Sequence, residues 1–184
     1  MSLTRKTGGV TVTSTSTQMG IKGKVIRVTP TIPIGSPTAF GDGDAMTETL
    51  VEIPNATEYE GGVSLLRNIS IFNKDNEDCG IEVIFFENNS TSAFGTANAA
   101  PDLTDANALA NNPLGTTSIV AADQNQAGVW SIGTSGHLTD DHINPLMLQS
   151  ASGSTSVYFA IVSRDTATLA STTDITLIFS IEYL

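Results

Sequence analysis

The sequence predicts an all-β protein, either a β-sandwich or a barrel, with one short helix. About seven or eight segments of the chain are rich in β-branched and aromatic residues and have the spacing expected of strands. Gly, Pro, Asn and Asp separate these segments, and the strands do not alternate with helices as they do around a parallel sheet. No repeat of roughly 20–50 residues is present, so we expect neither a solenoid nor a propeller.

The strongest strand signals lie between Gly61 and Asn88. Side chains alternate between the two faces of a strand, and the first part of this segment shows that alternation. One face of the first strand is therefore predicted to carry Leu65, Ile69 and Ile71, and the other face Leu66 and Phe72.

The second part, from Ile81 to Glu87, is almost entirely apolar, which predicts a central strand covered on both faces. The residues from Asn73 to Gly80 separate the two strands and are rich in Asn, Asp and Gly, which favour turns. We therefore predict that the two strands and the acidic turn between them form a β-hairpin.

Six further segments are predicted to be strands: 24–29, 48–53, 118–122, 128–132, 156–162 and 174–181. The last of them alternates well, with Leu177 and Phe179 on the apolar face and Ile178 as the one apolar residue on the polar face. We expect the interior of the sandwich to contain Phe85, Phe159, Leu177 and Phe179.

A short helix is predicted over Asp102–Ala110, with Pro101 or Asp102 at its start and Asp105 near its first turn. The stretch from Gly133 to Ser152 is predicted to be a loop.

Length and composition favour one domain preceded by an arm. A chain of 184 residues buries roughly 70% of its unfolded surface on folding, so it needs no cross-links. Cys79 is the only cysteine, which excludes an internal disulfide, and we expect it to be partly buried. Residues 1–20 are polar and rich in Thr and Ser, so we assign them to an extended N-terminal arm and residues 21–184 to the sandwich. No apolar run approaches the roughly 20 residues of a membrane-spanning helix, and we expect no membrane partner.

Charge divides the chain into two unequal parts. The net charge is −11, yet residues 1–41 contain no acidic residue and five basic ones, Arg5, Lys6, Lys22, Lys24 and Arg27. Residues 42–184 contain three basic and nineteen acidic residues, a net charge of −16. An acidic body repels nucleic acid, so we do not expect it to bind DNA or RNA. The basic arm instead suits an acidic protein surface, on a neighbouring subunit or on a larger assembly.

The arm has the composition of a segment that needs a partner. The run from Val10 to Thr17 favours extended backbone but has too few apolar residues to fold alone. We expect it to become ordered on contact with another surface, for example as an added strand, or else to remain an unstructured terminus. Candidate partner-binding residues are Arg5, Lys6, Val10, Val12, Lys22 and Lys24.

Several stretches of the chain carry a resemblance to a known family: Gly41–Ala45, Ile53–Ala56, Gly61–Asn76, Ile81–Glu87 and Val157–Leu177. In order and composition they resemble the jelly-roll capsid cement, or decoration, proteins encoded among the head genes of tailed bacteriophages. The resemblance covers roughly residues 24–183 and rests on sheet and turn signatures. The Thr-rich arm and the loop at Gly133–Asp141 depart from the family pattern.

The resemblance implies a jelly-roll-like antiparallel β-sandwich. It also implies a place on the capsid exterior of a virion, after synthesis in the host cytoplasm, and the major capsid protein as partner.

Two groups of polar residues have side chains that can bind metal ions, but both are explained more simply as solvated loops. The stretch from His137 to His142 holds both histidines and two carboxylates, which are groups that bind divalent metals. The acidic turns at Asp42–Asp44 and Asp75–Asp78 offer oxygens suited to Ca²⁺, but the ligand pattern of an EF-hand is absent. No G-x-S-x-G motif supports a hydrolase. We interpret both groups as solvated loops and expect no catalytic residue, no metal and no cofactor.

The resemblance implies a structural protein that cements the capsid on the outer surface of a phage head, and this is the function we expect. We expect it to be a homo-oligomer, with trimers matching a symmetric shell. The alternative is a carbohydrate-binding or receptor-binding β-sandwich module of a phage fibre or tail, in which Trp130, Tyr158 and Tyr183 would stack on sugars. A single Trp beside a strand more often serves a core or an interface, and no nucleophile–base pair supports an enzyme.

Overall fold

The computed structural model describes residues 3–7, 10–14, 23–32, 39–75, 78–121, 124–126, 131–134 and 146–184. For 3–7, 10–14, 125–126 and 131–134 it describes the backbone alone. Within these residues the chain forms one helix and fourteen strands. In chain order they are β1 (Leu3–Thr7), β2 (Val10–Ser14), β3 (Gly23–Val28), β4 (Ala39–Phe40), β5 (Val51–Ile53), β6 (Val63–Asn73), β7 (Ile81–Phe86), α1 (Asp105–Asn111), β8 (Pro113–Ile119), β9 (Gln124–Gln126), β10 (Ser131–Thr134), β11 (Leu146–Gln149), β12 (Val157–Ser163), β13 (Ala167–Thr168) and β14 (Ile175–Tyr183).

Ten of the strands form two antiparallel sheets that pack face to face. The larger sheet has the order β3-β14-β6-β10-β9, with β11 also paired to β6, and the smaller sheet has the order β5-β12-β7-β8. The pairing is nested, because β3 pairs with β14, β5 with β12, β6 with β11 and β7 with β8. Nested pairing is the topology of a jelly roll, in which one long antiparallel hairpin is rolled into two layers. The predicted all-β jelly-roll-like sandwich with one short helix is confirmed, and the described strands do not close into a barrel.

The predicted hairpin between Gly61 and Asn88 is wrong. β6 belongs to the larger sheet, where it pairs with β14, β10 and β11, whereas β7 lies between β12 and β8 in the smaller sheet. The connection after Asn73 therefore crosses from one layer to the other. Turn-forming residues show that the chain changes direction, but the same composition serves a tight hairpin and a crossing between layers. The prediction of a central strand at 81–87 is confirmed, since both faces of β7 are covered.

A β-bulge interrupts the regular alternation of β6. Its register with β14 shifts so that Ser180 pairs with Asn68 and Ile181 pairs with Leu66. Arg67 is thus the extra residue, without a counterpart on β14.

The bulge decides which apolar residues of β6 face the core. Leu66 is buried together with Ile69 and Ile71, while Leu65 and Phe72 are half-buried on the outer side. The predicted grouping of Leu65 with Ile69 and Ile71 is therefore wrong. One inserted residue exchanges the two faces of a strand, and a count of regular alternation does not include it.

Aromatic contacts between the two layers form the centre of the core. The ring centroid of Phe179 on β14 lies 5.3 Å from that of Phe159 and 6.2 Å from that of Phe85, both on the smaller sheet. Phe85, Phe159, Leu177 and Phe179 are all fully buried, as predicted. Burying one such ring stabilises the fold by roughly 1.5–3 kcal/mol, and each ring pair adds about 0.5–1.5 kcal/mol.

Two chain segments cover the outer face of the smaller sheet. Residues 41–50 and 88–112 pack against it and bury a second apolar cluster: Ala45, Leu50, Phe86, Phe94, Ala160 and Val162. This side of the main core therefore has two layers, the smaller sheet and its cover, whereas among the described residues the larger sheet is the outermost layer on the other side.

Helix α1 lies within the second covering segment. Thr104 caps it, because its hydroxyl oxygen accepts a hydrogen bond from the Asn107 backbone N–H. The predicted helix is confirmed, although it begins at Asp105 rather than near Pro101 or Asp102.

Two buried side-chain amides hold connecting segments in place. Asn111 accepts a hydrogen bond from the Thr91 N–H at 2.9 Å and donates one to the Thr91 carbonyl at 2.8 Å. Gln124 accepts one from the Cys79 N–H at 3.1 Å and donates one to the Cys79 carbonyl at 2.5 Å. Each amide reproduces the paired hydrogen bonds of a strand neighbour and satisfies both backbone groups of one residue. Cys79 itself is fully buried, deeper than the partial burial we expected.

Several predicted bounds differ from the structure. The strand predicted at 48–53 is shortened to β5, and the one at 118–122 ends at Ile119 as part of β8. The loop predicted at 133–152 contains β11, because Leu146 and Leu148 find partners on β6 that are remote in sequence. Residues 128–130 of another predicted strand lie outside the described residues.

The first prediction concerns the contact between the layers. Phe179→Ala should destabilise the protein by roughly 3–5 kcal/mol, because it removes a ring that packs against two others in a closed core. Urea unfolding followed by circular dichroism measures this loss. Leu109→Ala is the control, since Leu109 is 76% exposed and its truncation should change stability by less than about 0.5 kcal/mol. Equal unfolding midpoints for the two variants would contradict the assigned core.

The second prediction concerns the Asn111 amide. Asn111→Ala should destabilise the protein by about 1–3 kcal/mol, because it deprives the Thr91 N–H and carbonyl of their partner. Amide hydrogen exchange at Thr91 should also become faster than in the unchanged protein. Asn107→Ala on the same helix is the matched control and should leave that exchange rate as it was. Protection at Thr91 that survives Asn111→Ala would show that another group holds this segment.

Candidate functional site

The N-terminal residues proposed to bind a partner are extended and pair with each other. β1 carries Arg5 and Lys6, β2 carries Val10 and Val12, and their antiparallel register places Arg5 opposite Val12. The two strands form a sheet of their own. The arm is thus extended as predicted, and its two strands pair with each other. The Gly8-Gly9 dipeptide, which lies outside the described residues, is a sequence signal for a turn that sequence reasoning missed.

The remaining candidate residues lie where the arm meets the sandwich. Lys22 is outside the described residues, and Lys24 is half-buried on β3, opposite Ile181 of β14. β3 pairs with β14 alone among the described strands, so it is an edge strand of the larger sheet. No described strand pairing joins Lys24 to β1 or β2, so strand pairing does not gather the six candidates into one site.

The arm enters the sandwich at the end where the last strand finishes. Gly23, the first residue of β3, pairs with Glu182 near the end of β14. The Tyr59 hydroxyl donates a hydrogen bond to the Leu184 carbonyl at 2.9 Å, and the Tyr183 hydroxyl donates one to the Asn55 carbonyl at 2.8 Å. These bonds tie the last residues to the loop after β5, so the arm leaves from a well-braced end of the sandwich.

The two sides of the sandwich differ in charge. We call the smaller sheet and its covering segments, residues 41–53, 81–119 and 157–163, the covered side. It carries no Lys or Arg and eight acidic residues: Asp42, Asp44, Glu48, Glu52, Glu82, Glu87, Asp102 and Asp105. Arg164, just beyond β12, forms ion pairs with Glu82 and Asp42. The covered side is therefore strongly acidic.

The outward-facing residues of the larger sheet, which we call the open face, are a mixture of apolar and uncharged polar side chains and carry little net charge. Val25 is 54% exposed and Met147 is 58% exposed. Between them lie three half-buried apolar residues on neighbouring strands: Leu65, Phe72 and Ile178. The charged residues of this face are Arg27 and the ion-paired Arg67 and Glu182.

Sequence reasoning found only part of the open face. It marked Ile178 as an apolar residue on a polar face. It placed Leu65 in the core, because regular alternation does not include the bulge at Arg67. Met147 was assigned to a loop. The face thus depends on register and on pairing between distant strands, which local patterns do not contain.

Tyr158 on the covered side and Arg164 beside it have raised pKa values, and both shifts lead away from neutral pH. Burial raises the pKa of the Tyr158 hydroxyl, and the nearby Glu52 carboxylate raises it further. The hydrogen bond from Arg164 to Glu82 raises the pKa of the Arg164 guanidinium. Neither group is therefore poised to exchange protons near pH 7.

The acidic turns have structural partners. The Asp44 carboxylate accepts a hydrogen bond from the Gly41 N–H at 2.7 Å, and that of Asp75 accepts one from the Ala170 N–H at 3.1 Å. Within the ranges that the structure describes, no three His, Cys, Asp or Glu side chains are grouped so that they could hold a metal ion. His137, His142, Trp130 and Glu77 lie outside those ranges.

Comparison with models of protein families, with curated protein sequences and with solved structures found no match. Among the described helices, none is long and apolar enough to cross a membrane. The function is therefore argued from the two sides of the sandwich and from the arm.

A third prediction tests the histidine stretch. Treatment with EDTA, and the double change His137→Ala with His142→Ala, should each leave the melting temperature unchanged, because we interpret this stretch as a solvated loop. Differential scanning calorimetry with and without added Zn²⁺ or Ca²⁺ measures the effect. A melting temperature that falls with EDTA and recovers with metal would restore the metal site.

Proposed function

We propose that this protein is a structural component of a phage head that sits on the outer surface of the capsid and cements neighbouring subunits of the major capsid protein. The proposal is supported by a jelly-roll sandwich whose interior is filled by side chains. Its distinctive features are therefore on the surface: an acidic covered side, a nearly neutral open face and a basic arm. Such an arrangement suits binding to other proteins. The resemblance of the sheet and turn segments to capsid cement proteins supports the same function.

The mechanism is mass action. A protein that binds the assembled shell and not its separate subunits stabilises the shell by its own binding free energy. The effect is repeated at every copy, so a modest affinity at each site gives a large total. No catalytic step is required.

The basic arm is the part of the chain best suited to hold the shell. Arg5, Lys6 and Lys22 lie in a segment without any carboxylate, so an acidic protein surface attracts the arm while repelling the acidic body. A two-stranded hairpin has an unpaired edge on either side, and such an edge can extend a sheet of a partner. Attachment through the arm also leaves both sides of the sandwich available.

The alternative function, a carbohydrate-binding or receptor-binding module of a fibre or tail, would place aromatic faces at the surface. Among the described residues Tyr59 is the aromatic side chain that is mostly exposed, at 56%, and its hydroxyl is engaged by the Leu184 carbonyl. Tyr158 and Tyr183 are half-buried. The described surface thus favours the capsid proposal.

The fourth prediction tests the arm on particles. Deleting residues 1–20 should leave the sandwich folded, with nearly unchanged circular dichroism and melting temperature. It should weaken co-sedimentation with particles stripped of this protein. On those particles the full chain should raise the temperature at which the shell opens.

A matched pair of charge reversals separates charge from structure. Lys22→Glu should weaken particle binding, and more so at low salt, where charges are screened less. Lys74→Glu makes the same change in charge in a turn of the sandwich and should bind like the unchanged protein. Failure of the full chain to bind or stabilise any stripped particle would overturn the proposed function. Binding that survives the deletion would reject the arm as the point of attachment.

A further inference from the structure

We propose that the open face of the larger sheet is the contact surface for a second copy of this chain, which packs against it face to face about a two-fold axis. The contact leaves the arms of both copies available to the shell. Neither its geometry nor its test depends on the proposed attachment to a capsid.

Apolar exposure is the first argument. Val25 and Met147 are each more than half exposed, although they lie on regular strands of the sandwich. In the register of the sheet Met147 is directly opposite Leu65, and Arg27, two residues after Val25, is opposite Ile178. Apolar side chains therefore recur across neighbouring strands of one face. Uncharged polar residues lie among them, since Ser180 is opposite Val25 on one side and Asn68 on the other. A surface that mixes exposed apolar and uncharged polar side chains in this way has the composition of a protein–protein interface.

Charge identifies the partner. Two copies with a net charge of −11 repel each other over most of their surfaces. The open face is the exception, because Arg67 and Glu182 neutralise each other and Arg27 adds one positive charge. A face-to-face contact also places the two acidic covered sides on opposite outer surfaces, as far apart as the pair allows. Repulsion between copies is thus smallest in this arrangement.

The covered side of another copy is a poorer match. It would set eight carboxylates with one neighbouring arginine against an apolar surface and remove some of them from water without a partner charge. The open face of a second copy instead offers apolar side chains to apolar side chains. Two such sheets can pack about 10 Å apart, as the layers of a sandwich do.

The size of the face suits a small interface. Strands β3, β14, β6 and β11 have 6, 9, 11 and 4 residues, and at ~3.3 Å per residue and about 4.8 Å between strands they give a flat area of roughly 480 Å². Two such faces bury roughly 1,000 Å² in total, which is at the lower end for a specific interface. A surface that contacts the same surface of its mate has two-fold symmetry, so the unit is a dimer and not the trimer expected from shell symmetry alone.

Sedimentation equilibrium of the full chain tests the contact. We expect the mass of two chains at micromolar concentration. Val25→Glu and Met147→Glu, tested separately, should each raise the dissociation constant at least about tenfold, because every change acts twice in a two-fold contact. Both positions are more than half exposed, so the melting temperature of the variants should stay near that of the unchanged protein. Leu109→Glu replaces an apolar residue on the covered side that is even more exposed, and it should leave the dimer intact.

Salt tests the charge argument. Because the proposed dimer forms against the repulsion of acidic bodies, raising salt from about 0.05 M to 0.5 M should preserve or strengthen it. A dimer that weakens over this range would be held together by attraction between opposite charges, which would overturn the proposal. A monomer, a trimer, or a dimer untouched by Val25→Glu and Met147→Glu would overturn it as well. If the chain is a monomer that still binds stripped particles, the dimer proposal fails and the proposed function stands. If it is a dimer that binds no stripped particles, the proposed function fails and the dimer proposal stands.

Discussion

The contact of Phe179 with Phe85 and Phe159 holds the two layers of the sandwich together, and the remaining structure depends on it. Phe179 comes from the last strand, whereas Phe85 and Phe159 come from two neighbouring strands of the opposite sheet. Nested pairing brings these three residues together from the middle and the end of the chain. Because nearly all strand partners are remote in sequence, no pair of neighbouring strands can assemble the core alone. The sandwich is thus expected to fold as one unit, with the slow kinetics of non-local β pairing.

The outer faces of the two sheets differ in how far they are covered by the chain. The smaller sheet is covered by residues of its own chain, which bury Phe86, Phe94 and Leu50 in a second cluster. The carboxylates on this cover point to a surface that stays in water. The larger sheet has no comparable cover among the described segments that pack into clusters, and it exposes Val25 and Met147. The asymmetry is the physical basis for assigning contact with other proteins to one side and solvent to the other.

Register has consequences beyond the strand in which it changes. The bulge at Arg67 moves Leu66 into the core and Leu65 to the open face, and it places the guanidinium where it can pair with Glu182. One extra residue therefore decides which leucine lies in the core, which lies on the open face and where Arg67 lies. A regular strand would have buried Leu65 and placed Leu66 on the open face instead.

The sequence by itself determined the fold class, the buried aromatic residues, the presence of a short helix and the division of charge between arm and body. These features follow from local composition and from periodicity, and the burial of Phe85, Phe159, Leu177 and Phe179 shows how far periodicity reaches. Only the tertiary structure decided that β6 and β7 lie in different sheets, that β11 is a strand and that the strands of the arm pair with each other. It also decided which side of the sandwich is covered. The reason is that strand partners, bulges and layer crossings are fixed by the packing of residues far apart in the chain, for which a turn-rich segment such as Asn73–Gly80 carries no information.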